Sequence, residues 1–179
     1  MTDLTISEST NVLRNNYKGH LAYLSQGRPY VVPVTFYFDH EDNSIISYTS
    51  EGHKIDAVRK NPSVSMVAEE IQSLVNWESA LIHGTFEELE GSLAKQKLHQ
   101  FTEGVKSIIH QKEYKEVEFI SEFSSKLYAR GIPIVYRIKY LRLRGNDGRL
   151  KVTPPEHNFV KKKMRTDCMN GYMPKMLKN

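Results

Sequence analysis

Lys54 lies in a small turn, Ser50-Glu51-Gly52-His53-Lys54, just ahead of a helical run, Ile55-Asp56-Ala57-Val58-Arg59-Lys60, that Asn61-Pro62 stops. A helix start presents unpaired backbone N–H groups and the positive end of the helix dipole, and both favour an anion. With Thr49, Ser50 and Lys54 around it, that start is a seat for a phosphate, the handle by which many cofactors are held. Two β-type runs lead into the seat, Tyr30 to Phe38 and Ile45 to Thr49. A flat aromatic ring needs a flat, partly apolar platform, and β-backbone supplies one with N–H and C=O groups at its edge.

Other chemistry-bearing residues form weaker patterns. The histidines His20, His40, His53, His83, His99, His110 and His157 show no paired ligand spacing with carboxylates. His99 and His110 are roughly three helical turns apart, too far to share an ion. His83, in a strand beside Gly84, and His157, in the basic tail, read as packed or solvent-facing histidines. Cys168 is the only cysteine, which excludes an intrachain disulfide and a thiol–metal cluster, and no ordered base accompanies it.

Around these residues the chain reads as a mainly β protein. Ser7 to Asn15 is expected to be a short helix with Ser7 as cap. Gly19 to Ser25 and Tyr30 to Phe38 form a hairpin across Gln26-Gly27-Arg28-Pro29. Ile45 to Thr49, Ser63 to Ala68, Ser79 to Leu89 and Ile132 to Leu141 complete about six strands. Two helical patterns come late: one carries Leu98, Phe101, Val105 and Ile109, the other Val117, Ile120, Phe123 and Leu127. Hairpin links rather than helical crossovers argue for a small antiparallel barrel with peripheral helices.

Length and composition fit one domain with its own core: 179 residues, 39% hydrophobic and 26% charged. No apolar run is long enough to span a bilayer, and the N-terminus lacks the layout of a signal peptide, so a cytoplasmic location is expected. The net charge of +4 is concentrated beyond residue 150, where seven Lys/Arg face Glu156 and Asp167. The nearly neutral body shows no nucleic-acid motif.

Three segments together carry a resemblance: Gly19-His20-Leu21-Ala22; Gly27-Arg28-Pro29-Tyr30-Val31-Val32-Pro33-Val34-Thr35-Phe36; and Tyr48-Thr49-Ser50-Glu51-Gly52-His53-Lys54-Ile55-Asp56 with Arg59-Lys60-Asn61-Pro62-Ser63-Val64. In order, they resemble the flavin-binding split barrels related to pyridoxamine phosphate oxidase, nearest the nitroimidazole-reductase-like branch. That resemblance implies a six-stranded antiparallel Greek-key split β-barrel of the FMN-binding type, over residues 1–145 with a helical insertion at about 92–130. Residues 146–179 would be a basic C-terminal tail. It also implies a homodimer with FMN at the subunit interface. Val32, Pro33, Val34, Thr35 and Phe36 would run under the isoalloxazine ring, and Tyr48, Thr49 and Ser50 would line the ring and ribityl chain. His53 and Lys54 would meet the phosphate, while Trp77 and Ser79 would reach the flavin from the partner subunit.

The implied activity is FMN-dependent oxidoreduction, with NAD(P)H as donor and a small planar molecule as acceptor. A flavin carries the redox chemistry itself, so no catalytic side chain is assigned. A non-catalytic flavin-storage or sensing protein is the alternative, and a haem-binding split barrel, with His83 or His157 as the candidate ligand, a third. Two departures narrow the reading. Tyr48 stands where the nitroimidazole-reductase branch often has histidine, and a phenol of ordinary pKa about 10 cannot do histidine's proton work near neutral pH. The basic pair expected near the end of the true oxidases is not evident, and Gly145 to Arg149 is no substitute for it, so vitamin B6 oxidation is not assigned.

Overall fold

A computed structural model describes residues 2–113 and 133–148. The elements in chain order are β1 (Thr2–Leu4), α1 (Ile6–Arg14), β2 (Lys18–Ser25), β3 (Arg28–Thr35), β4 (Tyr37–Asp39), β5 (Ser44–Thr49), α2 (His53–Lys60), β6 (Ser63–Ser73), β7 (Asn76–Leu89), α3 (Gly91–Glu113) and β8 (Ile134–Asp147). All strand pairings are antiparallel, in the order β3-β2-β6-β7-β8-β5-β4, with β1 on β8. The fold is a mainly β split barrel whose sheet does not close by hydrogen-bonded pairing, with helices packed around it.

The two ends of that strand order, β3 and β4, are consecutive in the chain. The Tyr30–Phe38 run, expected as one strand, breaks at Phe36 into these two. Phe36 is wholly buried and its N–H donates to the Tyr17 carbonyl at 2.8 Å, so the corner is fixed by packing and a hydrogen bond rather than by a turn residue. Strands that switch direction in this way make the corners of folded sheets. Counting β3 and β4 as one bent strand gives the expected six, and β1 is an added short edge.

The interior holds the inward residues of every long strand, including Leu21, Tyr23, Met66, Ile82, Phe86, Tyr136 and Ile138, capped by Val12 and Leu13 of α1 and Ile55 and Val58 of α2. A second cluster lies outside the barrel, where Phe101, Val105 and Ile109 of α3 cover Ile46 of β5 and Val135 of β8. Ile46 and Val135 are therefore buried on the outer face as well, while Arg137 and Lys139 keep the rest of the outer face of β8 charged. Gly84 lies where the β7–β8 register shifts, and a Cβ there would come within 2.5 Å of the Lys139 carbonyl oxygen. Only glycine permits that approach.

The end of α3 nearest β4 is fastened by charge. Lys97 is 4% exposed, and its Nζ meets Asp39 Oδ2 at 2.5 Å and Asp42 Oδ2 at 2.6 Å. Arg137 and Lys139 of β8 both pair with Glu87 of β7, at 2.9 and 3.0 Å.

Several boundaries differ from expectation. The cap of α1 is Thr5, not Ser7: Thr5 and Glu8 form a reciprocal capping box. β6, β7 and β8 extend well past their apolar alternation, so β8 runs on through Asn146 and Asp147. The helical pattern at Val117–Leu127, His157, Cys168 and most of the basic tail lie outside the described residues. Among the described residues no helix is long and apolar enough to cross a membrane.

Candidate functional site

β5 delivers Thr49 and Ser50 to the start of α2, and two contacts bring β3 alongside. Ser47 Oγ donates to the Thr35 carbonyl at 2.7 Å, and the Tyr30 ring lies 4.7 Å from that of His53. Val32, Pro33, Val34 and Thr35 are thereby gathered beside Thr49, Ser50, His53 and Lys54. Val32 and Val34 are half-buried against the core, and Pro33 and Thr35 are exposed.

The helix start carries the features of an anion seat. Gly52 is the N-cap residue, with φ 152°, and no side chain caps the first turn. Lys54 is half-buried, with its Nζ 5.6 Å from the centre of the Tyr136 ring, and it has neither hydrogen bond nor ion pair among the described residues. Burial holds its pKa below the ordinary lysine value. An ammonium kept partly out of water without a counter-ion, beside free N–H groups, is stabilised by any anion that reaches it.

Tyr136, beneath Lys54, is fully buried and its hydroxyl has no hydrogen-bond partner among the described residues. Burial raises its pKa, an effect the neighbouring Ser47 side chain only partly offsets. A buried phenol left unpaired costs about 1–3 kcal/mol, and such groups concentrate where a ligand or water completes the structure. Nothing in the sequence singled out Tyr136 for this place; it shares the inward alternation of Ile134 and Ile138.

The remaining candidates lie elsewhere. Phe36 is core, with its N–H committed to Tyr17. Tyr48 points from the opposite face of β5 and packs edge-on against Phe101 of α3 at 5.1 Å, where burial pushes its pKa up to about 12. Trp77 and Ser79 are half-buried at the far end of β7, Trp77 accepting from Gly148 N–H at 3.0 Å. β7 passes Tyr136 at Glu88, and the strand from Glu88 back to Trp77 measures roughly 35 Å at about 3.3 Å per residue. Within one chain, Trp77 and Lys54 therefore do not meet.

His53 packs at a tilt against an aromatic pair. Tyr23 and Tyr30 are stacked at 5.5 Å, and the Tyr23 hydroxyl lies 3.2 Å from His53 Nδ1. With Tyr23 donating, the ring proton sits on Nε2, free to donate outward. Arg59 bridges Glu51 and Glu88, each at 2.9 Å, and so ties the turn before α2 to β7. His83 is exposed and bonded to Ser65 Oγ at 2.8 Å, and no cluster of metal-ligating side chains occurs among the described residues.

The comparisons with known proteins match this architecture. A Rhizobium meliloti (strain 1021) protein described as uncharacterized is 36% identical over 69 residues, which is 38% of this chain and 44% of that protein; the chain thus matches less than half of that relative's length. Among solved structures, an FAD-binding protein of Mesorhizobium loti is 24% identical, with TM-score 0.59 over 80% of this chain and 93% of that one. A putative 5-nitroimidazole antibiotic resistance protein of Bacteroides thetaiotaomicron is 15% identical, with TM-score 0.58 over 80% and 85%. The FAD-binding protein of Mycobacterium smegmatis is 13% identical, with TM-score 0.54 over 84% and 100%. At these identities the structures establish a shared fold. The sequence profile described as pyridoxamine 5'-phosphate oxidase matches residues 5–127, more than half of the sequence, and this chain belongs to that family.

Proposed function

We propose that this protein binds a flavin nucleotide through the phosphate seat at the start of α2. The observation that carries the reading is Lys54, a half-buried ammonium without a counter-ion among the described residues, beside an uncapped helix start. The residues fit the group: Lys54 and the α2 N–H groups would hold the phosphate, and His53 Nε2 adds a donor. Thr49 and Ser50 offer hydroxyls for the ribityl chain, and Val32 to Thr35 of β3 supply the platform for a flat ring. FMN, the part common to both flavin nucleotides, satisfies all of these contacts. The family membership and the flavin named for two similar structures support the same reading.

A bound flavin would supply two-electron chemistry between NAD(P)H and a small planar acceptor, which makes the protein an oxidoreductase. The chain's own residues orient and neutralise the cofactor. Trp77 and Ser79 would join the site as residues of the partner subunit, because the length of β7 keeps them from Lys54 in their own chain. A homodimer with the flavin between subunits follows.

The test is spectroscopic. Protein purified after supplementation with riboflavin should be yellow, with flavin absorption bands. Lys54→Ala should weaken FMN binding by about tenfold to a hundredfold, the loss of one charge-assisted contact of about 1.5–3 kcal/mol. Protein that cannot be reconstituted with any flavin refutes the reading. Bleaching of the flavin on anaerobic mixing with NADH or NADPH would support oxidoreduction, and an unchanged spectrum would indicate a storage or sensing role.

A further inference from the structure

A cleft of about 470 Å³ opens beside the phosphate seat, between the β2–β3 turn and the flank of α2. It begins at His53, in the first turn of α2, and runs to Lys60 and Asn61 at the end of the helix, about 10 Å along the axis at about 1.5 Å per residue. Its volume lies within the range of small-molecule sites. Its polar side chains are solvent-facing and open to a ligand. Asp56 and Lys60 stand at i and i+4 on one helical face, yet they do not pair. Neither of them, nor Gln26 on the opposite wall, has a side-chain hydrogen bond or ion pair among the described residues. Asn61 Oδ1 accepts from Ser63 N–H, and its amide NH₂ is free.

We infer that this cleft takes the adenosine end of a dinucleotide whose flavin half lies in the site proposed above, so that the preferred cofactor is FAD. The inference rests on the flavin reading. A second phosphate leaving the Lys54 seat passes His53, whose Nε2 faces away from Tyr23. Asp56 offers two carboxylate oxygens to the paired hydroxyls of a ribose. The amides of Gln26 and Asn61 can meet both donors and acceptors on an adenine edge, while Leu24 and Ala57 supply apolar wall. The Asp56 carboxylate also sets a limit, since it repels a ribose carrying a further phosphate, as in NADPH.

Equilibrium titration of the apoprotein with FMN and with FAD, for the native chain and Asp56→Ala, tests this. FAD should bind the native protein at least tenfold more tightly than FMN. Asp56→Ala should remove most of that advantage and leave FMN affinity within about twofold. Equal affinities for FMN and FAD, or an Asp56→Ala variant that weakens both alike, overturn the inference and leave the flavin reading standing. So does a result in which FMN-loaded protein binds NADH in an Asp56-dependent way while FAD gains nothing over FMN. Failure to bind either flavin overturns both.

Discussion

Replacing Lys97 by methionine isolates the charge that fastens α3 to the barrel. Methionine keeps the length and apolar stem of the side chain, so the change removes the ammonium and little else. Asp42 is partly exposed and keeps Arg137 at 3.5 Å, so water and arginine take over its share. Asp39 is only 3% exposed, and its other oxygen already accepts from Glu41 N–H at 3.0 Å. It is left as a buried carboxylate with no directly paired cation among the described residues and only the more distant Arg137 to offset its charge. Breaking a buried pair from one side costs about 3–5 kcal/mol. At roughly 2–4 °C per kcal/mol for a chain of this size, the melting temperature should fall by roughly 10 °C. Urea unfolding followed by Trp77 fluorescence measures the free energy directly. Adding Asp39→Asn to Lys97→Met removes the stranded charge and keeps an oxygen for the Glu41 N–H, so the double variant should recover at least half of the loss. A loss below about 1 kcal/mol for Lys97→Met, or no recovery in the double variant, refutes the account of the cluster.

Two further expectations follow from charge and assembly. Glu87 is held down to about 2 by Arg137 and then Lys139, so its pairing contributes stability above its unfolded pKa of about 4.5 that is lost as pH falls toward 2; Glu87→Gln should flatten that acid limb in urea midpoints taken across the window, and an unchanged slope would count against it. Sedimentation at micromolar concentration should show twice the 20.7 kDa chain mass, and a monomer that binds flavin with full affinity would refute the placement of Trp77 in a partner's site.

How much was legible depended on whether a feature is local. The alternation in Ile134–Tyr140 reads directly as an inward and an outward face, and Tyr136 and Ile138 are indeed buried. Lys54 is readable because a helix start and a lysine are adjacent in sequence. The capping box at Thr5 and Glu8 is equally local, so the choice of Ser7 passed over a signal that was present. The corner at Phe36 is different. Nothing in Val34-Thr35-Phe36-Tyr37 breaks a strand; the bend is imposed by a buried ring and the Tyr17 carbonyl, both set by distant chain. The extension of β6 and β7 to Ser73 and Asn76 passes through Glu69, Glu70, Gln72 and Glu78, residues with no apolar period to read. Those pairs rest on backbone bonds and on polar side-chain contacts such as the Asn76 amide donating to Gln72 Oε1 at 2.7 Å. The unpartnered Tyr136 hydroxyl and the cleft beside α2 arise from register and packing, which no window of sequence contains.

β3 ends the strand order, with Pro29 and Pro33 on the same side of its two-residue alternation. Prolines in a paired strand place their missing donors along the open edge, where β2 makes no demand on them. An incoming strand would find that edge unable to donate at two positions and could not continue the ladder. This edge of the sheet is thus closed to strand addition even though Val31, 65% exposed, gives it an inviting apolar surface. That keeps the backbone of β3 open to a small molecule instead of another chain.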